Sequence, residues 1–281
     1  MALHTDDRQN ILRKLGAMPE DLDVLLDYTT NVFSYNPKVN DEGFLLRWAP
    51  VLAAAKENGA ASAINQYLVR EDLQIAFENP DAVAVIIYES FAGKIPIITA
   101  QSDTDFERLV LNIIYKDKHY PHVKKQGASF ALGEQNRFII LSHKPYSNLP
   151  ASSIGLDDTT WREKSLTLRK FHECAHYYTK RYHGSSRNNL HDELIADFCG
   201  MWAAFSEYRA EYFTKFLAQG RMQIYMEGLS PTASKAVEKL AYLASAWVEK
   251  WTRSNEFLQL NETERIDFLC NKELLSYGGE F

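Results

Sequence analysis

His172-Glu173-Cys174-Ala175-His176 sets two imidazoles four residues apart, with a carboxylate beside the first. On an α-helix, at 3.6 residues per turn, positions four apart lie one above the other on a single face. Two imidazoles so placed can converge on one metal ion, and Glu173 then stands next to them as a base. H-E-x-x-H is thus the spacing a zinc hydrolase needs: two protein ligands, a general base and room for a water.

The chemistry requires a helix, and the flanking residues supply one. Leu168, Phe171, Ala175, Tyr178 and Tyr182 recur at spacings of three and four and form an apolar stripe. His172 and His176 fall beside that stripe, at the edge of the packed side. Asp157, Asp158, Thr159 and Thr160 are capping candidates, with Glu163 three residues after Thr160. Gly and Pro are absent between Trp161 and Tyr182.

A second helical pattern opens near Asn188 and runs on through Leu194, Phe198, Met201, Trp202 and Phe205. Glu193 and Asp197, four apart, share another of its faces, continued by the small Gly200 and Ala204. Two carboxylates on an apolar helix are costly to bury unpaired. A metal and a metal-bound histidine would satisfy both: Glu193 as third ligand, Asp197 accepting the free ring N–H of a ligating histidine. The alternative for Glu193 is a first-turn carboxylate favoured by the helix N-terminus, a description that also fits Asp192. For Asp197 the alternative is a solvated helix position. His183, His191 and Asp197 are the rival third ligands. Cys174 lies between the two histidines in sequence, a position that faces it away from a metal, and reads, like Cys199, as a small buried residue.

H-E-x-x-H followed by a helix bearing E-x-x-x-D resembles the gluzincin metallopeptidases, the thermolysin-like clan. Over about residues 161–205 the resemblance implies His172, His176 and Glu193 as zinc ligands, Glu173 as the base that activates water, and Asp197 as support for the first histidine. It further implies a zincin-like core, with a small β-sheet ahead of the active-site helix whose edge strand pairs with an extended peptide substrate. Two features depart from the clan. No histidine follows His191, so an oxyanion-stabilising group would come from Tyr208, Tyr212, Tyr225, Tyr242, Arg209 or Arg221. The Gly-rich exopeptidase signature of the aminopeptidase branch is also missing, which leaves endopeptidase action open.

With 281 residues there is length for one large domain or two small ones. Apolar content of 46% and charged content of 24% are ordinary for a globular chain. A net charge of −6 argues against nucleic acid as the main partner. Met1 to Gly16 carries charges throughout, and no stretch reaches the roughly 20 apolar residues of a membrane span. Three scattered cysteines do not make a disulfide framework. These features together read as a cytoplasmic protein.

The expected fold class is α+β, mostly helical. Residues 1–80 read as a helical N-terminal region, with segments near 6–16, 20–34 and 43–78 and a turn at Asn36-Pro37 and Asn40-Asp41. Residues 81–160 read as mixed α/β: strands at 83–88 and 95–99 around a Gly93 turn, a helix at 103–115, and a hairpin of 128–132 with 137–141. Residues 161–281 read as the helical region that carries both motifs, possible as one compact domain with 81–160. Asn261, with Glu264 three residues on, marks a late helix start. The expected activity is peptide-bond hydrolysis with zinc, on a peptide or protein substrate. The alternatives are a non-catalytic helical protein whose metal site is structural or degenerate, and a zinc hydrolase with a non-peptide substrate.

Overall fold

The computed structural model describes residues 3–38, 41–116, 118–133, 136–185 and 189–278. Asn40 in the expected early turn, the hairpin tip at 134–135, and Asn188 lie outside them. The class is α+β with one small sheet. In chain order the helices are α1 (Thr5–Leu15), α2 (Leu22–Tyr28), α3 (Ala49–Asn58), α4 (Ala60–Tyr67), α5 (Asp103–Leu109), α6 (Asp158–His183), α7 (Leu190–Phe205), α8 (Ala210–Phe216), α9 (Met222–Tyr225), α10 (Pro231–Trp251), α11 (Asn255–Gln259) and α12 (Glu262–Asn271). The strands are β1 (Val83–Ser90), β2 (Gly93–Ala100), β3 (Ala128–Leu132) and β4 (Arg137–Ser142). Among the described residues no helix is long and apolar enough to cross a membrane.

The chain divides into two units: residues 38–174, and residues 1–37 together with 175–281. The cuts therefore fall away from residues 80 and 160. The reason lies in the N-terminal helices, whose partners come from the far end of the sequence. Ser230 and Thr232, at the start of α10, both donate to the Asp21 carboxylate. Asn31 donates from Nδ2 to the Cys270 carbonyl. Helix α2 ends at Tyr28, and residues 30–38 form no regular secondary structure. Ser34 and Asn36 donate their backbone N–H groups to the carbonyls of His183 and Tyr182 at 3.2 and 2.7 Å, which satisfies the open C-terminal end of α6.

The unit of residues 38–174 is built on a sheet ordered β1-β2-β4-β3. Two antiparallel hairpins, β1/β2 and β3/β4, are joined by a parallel β2/β4 pairing. Burial follows position. The central strands are near-continuous apolar runs, with Ile97, Ile98, Ile139, Ile140 and Leu141 all at 0–1% exposure. Edge strand β1 alternates, burying Val83 and Val85 and leaving Ile86 half exposed. Pro96 cannot donate to a ladder, and it sits one residue before the β2/β4 pairing begins at Ile97. The single helix expected over 43–78 is broken into a 3₁₀ turn, α3 and α4, because Gly59 takes φ +84° between them. The helix expected over 103–115 is α-helical to Leu109 and then widens into a π-turn over Val110–Tyr115.

Candidate metal centre

Helix α6 starts where Asp157 accepts the Thr160 N–H at 2.9 Å. It then runs unbroken for 26 residues through both histidines. His172 and His176 sit one turn apart on this one helix. Helix α7 starts where the Asn189 side chain accepts the Asp192 N–H at 3.1 Å. Every residue of α7 from Leu190 to Met201 is buried, including Asp192, Glu193 and Asp197 at 1%, 4% and 0% exposure. Carboxylates so deep need partners.

One donor atom from each of His172, His176 and Glu193 lies within 4.8 Å of the others. His176 Nε2 and Glu193 Oε1 are 3.5 Å apart. Two atoms bound to one zinc at about 2.0–2.1 Å and a tetrahedral angle stand ~3.4 Å apart, so this pair has the spacing of shared ligation. Each imidazole turns its other nitrogen to the protein. Tyr146 Oη lies 3.0 Å from His172 Nδ1. Asp192 Oδ2 lies 3.3 Å from His176 Nδ1, off the line of a good hydrogen bond, while its Oδ1 accepts from Thr179 Oγ1 at 3.1 Å. His176 thus presents Nε2 to Glu193, and His172 meets Tyr146 through Nδ1. The donor set, two imidazoles and one carboxylate oxygen, suits zinc and also admits other divalent ions. Glu173, half-buried, makes no hydrogen bond or ion pair among the described residues.

The carboxylates have a partner that the sequence did not suggest in this role. Arg221 donates from Nη2 to Glu193 Oε2 at 2.6 Å and from Nη1 to Asp197 Oδ2 at 3.1 Å. Burial of Glu193 and Asp197 therefore does not by itself demand a metal. The carboxylate found beside His176 is Asp192, which sequence reading left as an ordinary first-turn acid; Asp197 is bound to Arg221. The phenol of Tyr225 accepts from Arg221 Nε at 3.0 Å, and burial, with Glu193 adjacent, pushes its pKa well up.

The rival ligands are engaged elsewhere. His183 Nε2 meets Asp267 Oδ1 at 2.7 Å. His191 Nε2 donates to the Leu269 carbonyl at 3.0 Å, and burial pushes its pKa down to about 4, so it is neutral. Of the cations and phenols considered for an oxyanion, Arg221 and Tyr225 are the two set against Glu193. Arg209 pairs with Glu207, and Tyr242 is half exposed. Sequence reading passed over Tyr28, whose phenol accepts the Leu190 N–H at the head of α7 at 3.3 Å. Burial, with a smaller contribution from Glu193, raises its pKa to about 12.

Tyr146 was also not legible, since it comes from an irregular turn. Ser147 and Asn148 behind it both take left-handed φ, at 51° and 55°. Tyr146→Phe is expected to keep the fold and weaken metal binding about 10–100-fold, as loss of an orienting partner does. Competition with a chromophoric chelator measures it; unchanged affinity would remove Tyr146 as the orienting partner of His172.

The Family of unknown function (DUF7005) matches over residues 69–137 and 134–278. The chain belongs to this family. The second DUF7005 segment contains Tyr146, His172, Glu173, His176, Asp192, Glu193, Asp197, Arg221 and Tyr225, so the whole cluster lies inside the matched sequence. Tyr28 lies outside it. No curated protein and no solved structure matches the chain.

Proposed function

We propose that this DUF7005 member is a zinc-dependent metallopeptidase with a zincin-like core. The observation that carries the reading is the convergence of His172, His176 and Glu193 within 4.8 Å, with Glu173 next to His172 in sequence and its side chain making no hydrogen bond or ion pair among the described residues. A structural metal site has no use for an unengaged carboxylate at that position. A zinc ion held by these three residues would bring the pKa of water near neutrality and polarise a substrate carbonyl. Glu173 takes the proton of the attacking water and returns it to the leaving amine. Tyr146 at Nδ1 of His172 and Asp192 near Nδ1 of His176 favour Nε2 as the ligating atom of each ring. Three buried, unbridged thiols support a reducing compartment and hence a cytoplasmic setting.

One observation favours a second reading, a non-catalytic protein in which α7 needs no metal: Arg221 already balances Glu193 and Asp197. Metal analysis separates the two. Purified protein is expected to hold about one zinc per chain, and a chelator should abolish hydrolysis of a peptide library that added zinc restores. Absence of bound zinc in zinc-supplied protein would end the peptidase reading and leave the second. Zinc with no turnover of any peptide would point to a non-peptide substrate.

A further inference from the structure

Resting on that reading, we infer that Arg221 is a positioning residue that makes Glu193 a one-oxygen ligand and holds it in place before any metal arrives. A carboxylate can ligate through one oxygen or both. Here the two Glu193 oxygens face different ways. Oε1 is 3.5 Å from His176 Nε2, on the side of the histidines, while Oε2 accepts from Arg221 at 2.6 Å. An oxygen committed to a charge-assisted hydrogen bond of that length is withheld from the metal side.

The guanidinium is itself fixed. Its Nη1 donates to both Asp197 oxygens at 3.1 and 3.3 Å, Nη2 donates again to Asp197 at 3.3 Å, and Nε donates to the Tyr225 phenol at 3.0 Å. Asp197 is fully buried and Tyr225 nearly so, which makes this a rigid cradle rather than a surface pair. Asp197 thus holds the arginine, and the arginine holds the ligand. A planar fork suits a task that a lysine ammonium, a single point charge, cannot reproduce.

The backbone is shaped for the same end. Arg221 ends a π-turn over Leu217–Arg221, inside which Gln219 and Gly220 leave helical geometry, Gly220 at φ +92°. A side chain at residue 220 would meet no steric obstacle yet would strain that φ. π-Turns of this kind recur at functional sites. The arrangement also balances the charge of two buried acids on α7, Glu193 and Asp197.

The test uses the full chain: wild type, Arg221→Lys and Arg221→Ala, each checked for native helix content by circular dichroism. Zinc affinity is read by chelator competition, and Co(II) is added to the metal-free proteins as a spectroscopic probe. Arg221→Lys should bind zinc about tenfold more weakly and Arg221→Ala about 100-fold more weakly, the range seen when a ligand's supporting group is lost. In Arg221→Ala the visible Co(II) band should weaken, because a two-oxygen Glu193 raises the coordination number. In a Glu193→Gln background, Arg221→Lys should have little further effect on affinity. Should Arg221→Ala fail to fold, Arg221→Lys and Gly220→Ala, which displaces the arginine backbone, carry the same comparison. Variants that bind zinc as tightly as wild type with the same Co(II) spectrum overturn the inference and leave the peptidase reading standing. Wild type that binds neither zinc nor Co(II) overturns both.

Discussion

Glu173→Gln is expected to keep its metal and lose hydrolysis by about 10²–10⁴-fold, the usual contribution of a positioned general base. Gln has the size of Glu and can hydrogen-bond a water, but it cannot take a proton. The histidines do not depend on Glu173, since the groups at their Nδ1 atoms are Tyr146 and Asp192. Helix α6 has no need of it either, because Glu173 makes no hydrogen bond or ion pair among the described residues. The loss should therefore appear in kcat/KM with metal content unchanged. Measuring both in one preparation matters, because a variant that also loses metal would report on ligation instead. Full activity with the metal retained would remove Glu173 as the base.

The parts of the site legible in sequence are those set by helical period. His172 and His176 share a face because they are four apart on one helix, and Glu193 and Asp197 do so for the same reason. The strands of the sheet were likewise legible from apolar alternation and turn residues. What escaped sequence reading depends on chain segments that no local pattern connects. Arg221 reaches Glu193 from a distorted turn 28 residues downstream. Tyr146 reaches His172 through two left-handed residues, and neither is a glycine. Asp192 carries no distinct signal, because the helix N-terminus favours a carboxylate there for reasons unrelated to metal. An apolar stripe says that a helix packs, not upon what. Thus α1 and α2 read as the start of an N-terminal region, while their partners come from residues 230–270.

A second large effect is expected away from the cluster, at Arg169. This side chain is buried at 3% exposure on α6. It donates from Nη1 to the carbonyls of Ser142 and Lys144 at 2.8 and 3.1 Å, and from Nη2 to that of Pro145 at 3.4 Å. Those carbonyls belong to the last residue of β4 and to the irregular segment that follows it and delivers Tyr146 to His172. Arg169→Met keeps the apolar stem and removes the donors. With about 1–3 kcal/mol for each buried acceptor left unsatisfied, a loss of several kcal/mol in unfolding free energy is expected. Gly127 supplies the independent check. A β-carbon there would run into the Arg169 guanidinium, which is tied to three carbonyls and cannot swing aside cheaply. Gly127→Ala should thus destabilise by about 1–3 kcal/mol, as overpacking does. If that effect works through Arg169, the double variant should be no less stable than Arg169→Met alone, since the obstructed group is gone. Chemical denaturation of the three variants reads the cycle. Simple addition of the two losses would show that Gly127 and Arg169 act independently.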